Sequence, residues 1–495
     1  MKRSLQRVRD GHQRVELSIG IFMIIRCAFF SLVALLSIDA SAQLPDPVAR
    51  ALKQIRIPEA NVTLWVAPAQ GGAPRMQHNA TQPFNPASVM KTLTTFAALD
   101  SFGPAFTWKT DAYIKGDLRD GVLTGDLILH GSGDPSLTWD RFDQLIRDIR
   151  SRGVREIHGD VLIDNSIFEA LPATTTDFDD QPLRAYNAMP DALLVNFKAL
   201  SFRLAPVGAT QLVRVDAMTP FAPLTIDNRL HATGGACIDW HSGITERFDN
   251  NEQGLLLTLN GTLPTSCGEH LLNVTVQDGL RQAAGVFRAL WQELGGKWDG
   301  VAREAKVPTD AQLLASWQSP PLADVIRDIN KFSNNVMARQ LYLTLGNIDP
   351  LQPANSAQSE KFLRSWLRTK QLDLPGLVLE NGSGLSRTER ITAKGLGSIL
   401  QLAWQSPRMP EFVSSLPIAG IDGTARRRFE NQPVANHAYF KTGTLNEVMA
   451  LAGYVLDVQG HWQAVVMIVN DPRAEQAEQA FIKLADWVYG AGKVK

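Results

Sequence analysis

The chain has only three cysteines among its 495 residues, too few for a small domain held together by disulfides. It lacks an excess of positive charge: the formal net charge is -1, so no broad basic surface is available to bind nucleic acid. Its nine histidines show no H-E-x-x-H or H-x-H spacing, so we expect no zinc site and no other metal or cofactor. It has one long apolar run, at the N-terminus, which excludes a polytopic membrane protein.

That N-terminal run has the features of a secretory signal peptide. Residues 19–38 are apolar apart from one arginine and two serines, and the arginine leaves an apolar core too short to cross about 30 Å of hydrocarbon comfortably. An Ala-Ser-Ala tripeptide ending at Ala42 has the small-residue form of a cleavage site. We predict that residues 1–42 are a signal peptide, starting at Met1 or Met23, and that the mature protein is periplasmic with at most peripheral membrane contact. The alternative is an uncleaved anchor helix.

Two cysteines, Cys237 and Cys267, remain beyond this segment. An even pair in an exported protein is usually oxidised, so we predict a disulfide between them. The alternative is two unconnected buried thiols.

The length and the order of elements predict one α/β domain interrupted by an insertion. With 44% hydrophobic and 20% charged residues, the chain is long enough for about three folded domains. Hydrophobic patterns predict a hairpin over residues 61–80, a helix over 88–99, further helices between 279 and 406, and three strands followed by a helix over 437–489. This order fits an antiparallel sheet with helices on both faces.

A β-rich block separates the first helix from the later ones. Between residues 106 and 276, short strands alternate with Gly and Asp turns, and one amphipathic helix is predicted over residues 139–151. We therefore predict a first part of the main domain at residues 43–105, inserted β-rich domains at 106–276, and a second part of the main domain at 277–495.

Three short motifs occur in order: Ser88-Val89-Met90-Lys91, Ser333-Asn334-Asn335 and Lys441-Thr442-Gly443. Each motif taken alone has a substantial chance of being accidental. The first two are predicted at the starts of helices and the third on a strand, the placements that acyl-serine transferases of the penicillin-recognising class require. The alternatives are that Ser88 is only a helix cap and Lys441 only a charged gatekeeper on an edge strand.

The first two motifs suit a nucleophile with its base and a proton relay. A serine hydroxyl needs a base within hydrogen-bonding reach, and Lys91 lies one helical turn from Ser88 on the same face. Lys91 must be partly neutral to accept a proton, and burial together with repulsion from Lys441 would lower its pKa. We predict Ser88 as the nucleophile and Lys91 as the base. Ser333 would pass the proton to the leaving amine, and Asn335 would hold the substrate amide and orient Lys91.

The third motif suits recognition of a peptide end. Lys441 and Thr442, on an edge strand, would hold a terminal carboxylate. Gly443 would let substrate backbone pass close to the strand. The backbone N–H groups of Ser88 and Thr444 would form the oxyanion hole.

Several longer stretches extend the likeness to a known family. They are residues 86–91, 123–127, 159–164, 381–387 and 420–424. Over about residues 50–490 the chain resembles the class C low-molecular-mass penicillin-binding proteins, the D-alanyl-D-alanine carboxypeptidase/endopeptidases of the bacterial envelope. The large insertion between the first two motifs is that family's most distinctive feature, whereas class A β-lactamases place the second motif far sooner.

The resemblance implies a transpeptidase-like α/β domain with two small inserted domains. It implies action through an acyl-serine on peptidoglycan stem peptides and crosslinks, with β-lactam antibiotics as inhibitors. Two positions depart from the family pattern: Glu380-Asn381 stands where an Asp is common, and residues 186–190 are a looser form of an aromatic-small-Ala-Pro stretch. The alternative functions are a β-lactamase-like hydrolase and a catalytically silent peptidoglycan-binding protein.

The insertion also carries an acidic loop containing Asp177, Asp179 and Asp180. Such runs are usually solvated surface. The functional alternative is that Asp180 faces the cleft and pairs with the free amine of the diamino acid in a stem peptide.

Overall fold

The computed structural model describes residues 43–170, 176–208, 210–251, 254–349 and 351–490. The predicted signal peptide lies outside these residues. Within the described ranges, no helix is both long enough and apolar enough to cross a bilayer.

The described helices and strands follow in chain order. The helices are α1 (Asp46–Gln54), α2 (Lys91–Phe102), α3 (Trp139–Ser151), α4 (Thr176–Asp179), α5 (Gly279–Glu293), α6 (Leu322–Phe332), α7 (Asn335–Gly346), α8 (Ser356–Thr369), α9 (Ala393–Gln405), α10 (Met409–Ser415) and α11 (Glu478–Tyr489). The strands are β1 (Val62–Pro68), β2 (Met76–His78), β3 (Pro83–Phe84), β4 (Lys109–Arg119), β5 (Val122–Gly131), β6 (Glu156–Ile157), β7 (Val161–Asp164), β8 (Ala199–Pro206), β9 (Val213–Ala217), β10 (Leu224–Thr233), β11 (Ile244–Asn251), β12 (Gly254–Pro264), β13 (His270–Thr275), β14 (Lys297–Trp298), β15 (Ala302–Glu304), β16 (Gln312–Gln318), β17 (Ile391–Thr392), β18 (Ala438–Leu445), β19 (Val448–Leu456) and β20 (Trp462–Asn470).

The central sheet has five antiparallel strands in the order β18-β19-β20-β1-β2. Its inner strands are buried on both faces: along β19, Ala452 and Tyr454 belong to one core, whereas Leu451 and Val455 belong to the other. Helices α2 and α6 to α10 cover the first face, and α1 and α11 cover the second. The predicted antiparallel sheet with helices on both faces is confirmed.

The insertion contains a seven-stranded sheet and two three-stranded sheets. In the larger sheet β4 and β5 form a hairpin, β16 pairs antiparallel with β4, and helices α3 and α5 share its apolar core. The smaller sheets, β10-β12-β11 and β13-β8-β9, share a second core. Helix α5 and strands β14 to β16, which follow the predicted boundary at residue 276, belong with the larger sheet and its core.

The predicted disulfide joins Cys237 to Cys267, with an S–S distance of 2.09 Å and a Cα–Cα distance of 4.8 Å. Cys237 follows β10, and Cys267 lies between β12 and β13. The bridge therefore connects the ends of strands that belong to the two small sheets, and the alternative of two free thiols does not apply.

Candidate active site

The first motif lies in a tight turn at the start of α2. Ala87–Met90 form a 3-10 turn that continues directly into the helix. Asn85 fixes the turn, because its Oδ1 accepts the N–H of Ala87 and its Nδ2 donates to the carbonyl of Ser386, each at 2.9 Å. Half-buried Ser88 accepts a 2.9 Å hydrogen bond at Oγ from Lys91 Nζ. The hydroxyl of Ser88 is therefore engaged by Lys91 and does not cap the helix.

The second motif is a sharp turn between α6 and α7. Ser333 ends α6 in the left-handed conformation, with φ 57° and ψ 35°. Asn334 then caps α7 by accepting the N–H of Met337 at 3.0 Å. Asn335 begins α7, and its Oδ1 lies 2.6 Å from Lys91 Nζ. The middle residue of the motif therefore shapes the turn, and the outer two reach the site.

The third motif lies on β18, the edge strand of the central sheet. Lys441 is completely buried, and its Nζ donates to Ser333 Oγ at 2.9 Å and to the carbonyl of Thr442 at 2.6 Å. The hydroxyl of Thr442 donates to that of Thr424 at 2.6 Å, which gives the 420–424 stretch a role as a neighbouring wall. A buried lysine cannot serve as a surface gatekeeper, so that alternative is wrong.

The structure shows a steric reason for glycine at position 443. A Cβ at this position would lie 2.9 Å from the backbone nitrogen of Ser88 and 3.0 Å from the carbonyl oxygen of Pro86. The absent side chain thus makes room for the turn that carries Ser88.

The direction of the Thr444 N–H follows from the hydrogen bonding along β18. Phe440 donates its N–H to Pro417, away from the neighbouring strand β19. Donor direction alternates along an antiparallel strand, so the N–H groups of Thr442 and Thr444 point to the same open side. Thr444 is exposed. Its N–H is therefore available to a bound molecule, as an oxyanion-hole donor must be.

Burial and like charge lower the pKa of both lysines. Full burial lowers the pKa of Lys91 well below its usual value, and Lys441 and, more weakly, Arg339 add to this effect, whereas Glu389 opposes it. Burial also lowers the pKa of Lys441 to about 7, with a further contribution from Arg428. A lysine whose charged form is disfavoured can accept a proton near neutral pH, as the predicted base must.

Sequence reasoning missed the backbone and second-layer groups that complete the site. The carbonyl oxygen of Ser383 accepts a hydrogen bond from Lys91 Nζ at 2.5 Å, so three oxygens surround that nitrogen. Asn85 and Thr424 were also missed. The stretches at 381–387 and 420–424 were the available signals, but a backbone carbonyl leaves no mark in a sequence.

In the acidic loop of the insertion, Asp180 lies at a cavity that the three motifs do not line. Asp179 accepts hydrogen bonds from the hydroxyl of Tyr186 and from Nδ2 of Asn187, each at 2.7 Å. Asp180 is exposed and lines a cavity of about 460 Å³ formed by residues of the insertion. None of the three motifs lines this cavity. The side chain of Asp177 lies outside the described residues.

The same loop nevertheless reaches the neighbourhood of the site. The guanidinium of Arg387 stacks on the ring of Phe178 at 4.5 Å. Arg339 of α7 donates to the carbonyl of Ala188 at 3.4 Å. The insertion therefore contacts both the 381–387 segment and the helix that begins with Asn335.

In the site, buried Lys91 contacts Ser88 and buried Lys441 contacts Ser333. Together with the fold, these two serine–lysine pairs define a class, the serine acyl-transferases of the penicillin-recognising type. The chain belongs within that class to the D-Ala-D-Ala carboxypeptidase 3 (S13) family, whose model matches residues 44–488. The resemblance to class C low-molecular-mass penicillin-binding proteins is thereby confirmed. At the level of the family, the chain is a penicillin-sensitive serine D-Ala-D-Ala carboxypeptidase acting on peptidoglycan.

Individual relatives agree with this assignment. The D-alanyl-D-alanine carboxypeptidase DacB of Haemophilus influenzae is 25% identical over 387 residues, covering 78% of this chain and 80% of the relative. A D-alanyl-D-alanine carboxypeptidase of an Actinomadura species is 27% identical over 412 residues, covering 80% and 74%. The crystal structure of penicillin binding protein 4 (dacB) from Haemophilus influenzae superposes with a TM-score of 0.74 at 23% identity, covering 89% of this chain and 99% of that one. The structural match supports the shared fold.

Proposed function

We propose that Ser88 is the nucleophile of a D-Ala-D-Ala carboxypeptidase and endopeptidase, and that Lys91 is its general base. The observation that carries the proposal is the position of Lys91 Nζ, 2.9 Å from Ser88 Oγ and 2.6 Å from Asn335 Oδ1. Neutral Lys91 takes the proton of Ser88 as Oγ attacks the carbonyl carbon of the penultimate D-alanine. An ester to Ser88 forms as the amide bond to the leaving group breaks, and water then hydrolyses the ester.

Ser333 and Lys441 serve the leaving group. The contact of Ser333 Oγ with Lys441 Nζ at 2.9 Å supports a path by which a proton reaches the departing nitrogen through the serine hydroxyl. In the carboxypeptidase reaction that nitrogen belongs to free D-alanine. In the endopeptidase reaction it belongs to the side chain of a neighbouring stem peptide.

The edge strand binds the substrate end. Lys441 and Thr442 hold the terminal carboxylate, a charge-assisted contact of about 1.5–3 kcal/mol. The N–H groups of Ser88 and Thr444 stabilise the oxygen that becomes negative during attack. The open direction of the Thr444 N–H supports this role.

Peptidoglycan stem peptides are the proposed substrates and β-lactams the proposed inhibitors. A β-lactam presents a reactive amide and a carboxylate, the two features that the serine and the lysine of β18 would engage. Penicillin binding protein 4 from Haemophilus influenzae is described in complex with a β-lactam. We place the enzyme in the periplasm, because residues 1–42 have the pattern of a signal peptide.

We further propose that Asp180 binds the free amine of the stem-peptide diamino acid. The stacking of Arg387 on Phe178 supports the proposal by bringing this loop beside the 381–387 segment. Asp180→Ala should raise KM for diaminopimelate-containing peptides up to about fivefold, because Asp180 is exposed and an exposed ionic contact contributes under about 1 kcal/mol. Penicillin acylation, which involves no such amine, should be unchanged. Equal effects on peptide and penicillin, or none on either, would contradict the role.

Purified muropeptides test the reaction directly. The wild-type enzyme should remove the terminal D-alanine from pentapeptides and cleave crosslinked dimers, with products identified by mass spectrometry. Ser88→Ala should give neither product while remaining folded. Rapid turnover of penicillin with no muropeptide product would instead favour the β-lactamase-like alternative, and binding without turnover of either would favour the silent binding protein.

A further inference from the structure

A buried carboxylate, Glu389, lies behind the segment that contacts Lys91. Its side chain is 0% exposed. One oxygen, Oε1, accepts three consecutive backbone N–H groups, from Glu380 at 3.1 Å, Asn381 at 3.0 Å and Gly382 at 2.9 Å. Three N–H donors on one oxygen favour the ionised carboxylate. The arrangement resembles an anion site made of backbone, with the anion supplied by the protein itself.

The segment whose N–H groups bind Glu389 is followed directly by Ser383, and the carbonyl of Ser383 faces Lys91. Asn381 Oδ1 accepts the N–H of Ser383 at 3.0 Å and its hydroxyl at 2.6 Å, so the carboxylate, Asn381 and Ser383 form one connected unit. The carbonyl of Ser383 then meets Lys91 Nζ at 2.5 Å. A shift of the N–H groups that bind Glu389 would therefore move the Ser383 carbonyl oxygen, which contacts Lys91.

Two glycines, Gly382 and Gly384, have such close neighbours that this segment has little room to move. A Cβ on Gly384 would lie 1.8 Å from the carbonyl oxygen of Ala87, the residue before Ser88. A Cβ on Gly382 would lie 2.5 Å from the ring of Tyr342. The segment is packed against the turn of the nucleophile on one side and against α7 on the other, so its position and that of Ser88 are linked.

Glu389 also has an electrostatic relation to the base. Burial, Lys441 and Arg339 all disfavour the charged form of Lys91, and the charge of Glu389 favours it. Glu389 is the completely buried carboxylate beside this segment, whereas the carboxylate of Glu380 is exposed. Burial raises the pKa of Glu389 itself, and the backbone N–H groups act against that rise.

We propose that Glu389 is a positioning residue of this active site: it holds the 380–383 segment so that the Ser383 carbonyl meets Lys91, and its charge allows Lys91 to keep the proton taken from Ser88. The inference rests on the proposed roles of Ser88 and Lys91. Glu389 itself touches neither substrate nor reacting atoms in this account.

The test is the pH dependence of penicillin acylation in Glu389→Gln. Glutamine keeps an oxygen that can accept the same N–H groups and removes the charge. Without the nearby anion Lys91 loses its proton at lower pH, so the acidic limb of the acylation profile should move down by about half a pH unit or more. The plateau rate should fall about three- to tenfold, because a base of lower pKa is a weaker proton acceptor.

Two further variants separate charge from position. Glu389→Asp keeps the charge but withdraws it from the N–H groups, so acylation should slow with the acidic limb nearly in place. Glu380→Gln is the matched control: Glu380 is exposed in the same segment and accepts from the hydroxyls of Ser386 and Thr388, and its removal should leave the limb unmoved.

The outcomes distinguish this inference from the proposed function. If the wild type is not acylated at Ser88, the proposed function itself fails. If it is, and the limb of Glu389→Gln coincides with that of the wild type, only the electrostatic role of Glu389 is overturned. If Glu389→Gln does not fold, Glu389→Asp decides: an acylation rate equal to that of the wild type would overturn the positioning role.

Discussion

Replacing Lys441 with methionine should make the protein more stable and less active. Lys441 is completely buried, and its pKa is lowered to about 7 in the folded protein. An unfolded lysine titrates near 10.4, so at pH 7 and below the folded state carries a penalty on the order of 4 kcal/mol for keeping this residue charged. Lys441→Met removes that penalty. It also leaves Ser333 Oγ and the Thr442 carbonyl without this donor, a loss of about 1–3 kcal/mol, so the net gain should be about 1–3 kcal/mol.

The pH dependence identifies the cause of this gain. Between about pH 7 and pH 10.4 the unfolded chain binds more protons at this site than the folded protein, so wild-type stability at this site falls as the pH drops through that range. The advantage of Lys441→Met should therefore be fully present below pH 7. Near pH 10.4 the penalty is gone and only the loss of about 1–3 kcal/mol from the missing donor remains, so the variant should be less stable than the wild type there. Urea midpoints of both proteins at pH 6 and pH 10 measure it, because the titrations of groups remote from Lys441 cancel in the difference. The pKa of Lys91 does not cancel, since Lys441 lowers it, but the relief of this repulsion adds to the advantage of the variant at low pH.

Lys331→Met supplies a matched control. Lys331 is also buried, but its Nζ lies 2.6 Å from the carboxylate of Asp422. Loss of this partner should destabilise the protein at both pH values. A Lys441→Met protein that is less stable than the wild type at pH 6, or equally shifted at pH 6 and pH 10, would refute the reasoning.

Two further predictions follow from the same geometry. Gly443→Ala should reduce the rate of penicillin acylation about a hundredfold, because its Cβ would displace the Ser88 turn; an unchanged rate would show that the close packing has no functional consequence. Replacing both Cys237 and Cys267 with serine should cost roughly 3 kcal/mol of stability. Thiol titration of the denatured, unreduced exported protein should find no free thiol, and two titratable thiols would refute the bridge in solution.

The elements that the sequence predicted well are those whose pattern is local. The helix over Trp139–Ser151 was predicted from apolar residues that recur at helical spacing, and Phe142, Leu145 and Ile149 are indeed buried on one face. The continuous apolar runs of β19 and β20 reflect burial on both faces of the central sheet. In such segments the residues themselves record their surroundings.

Elements that depend on distant partners were harder to predict. The pairing of β16 with β4 has no signal in either segment, because the two strands lie about 200 residues apart in the chain. Residues 156–164 form two short strands, β6 and β7, which are separated at Gly159, where a Cβ would lie 2.3 Å from the carbonyl oxygen of Gly125. β8 follows three consecutive residues in the left-handed conformation, 196–198, none of which is glycine. Without a glycine, the sequence pattern does not predict a turn there.

In the candidate site, too, the sequence predicted the local contacts but not those that depend on distant backbone positions. The side chains of Ser88 and Lys91 meet as their spacing of one helical turn predicted, because helix periodicity fixes their directions. The Ser383 carbonyl and the steric reason for Gly443 depend on backbone positions, which the residue types alone do not specify. The role of Asp180 stays a prediction, because the charge of a loop does not specify which ligand the loop contacts.

Labelling with penicillin tests the central claim most directly. The wild-type protein should gain the mass of one penicillin on the peptide that contains Ser88, and Ser88→Ala, still folded by circular dichroism, should gain none. An adduct that persists in Ser88→Ala, or one found on a different serine of the wild type, would contradict the assignment of Ser88 as the nucleophile.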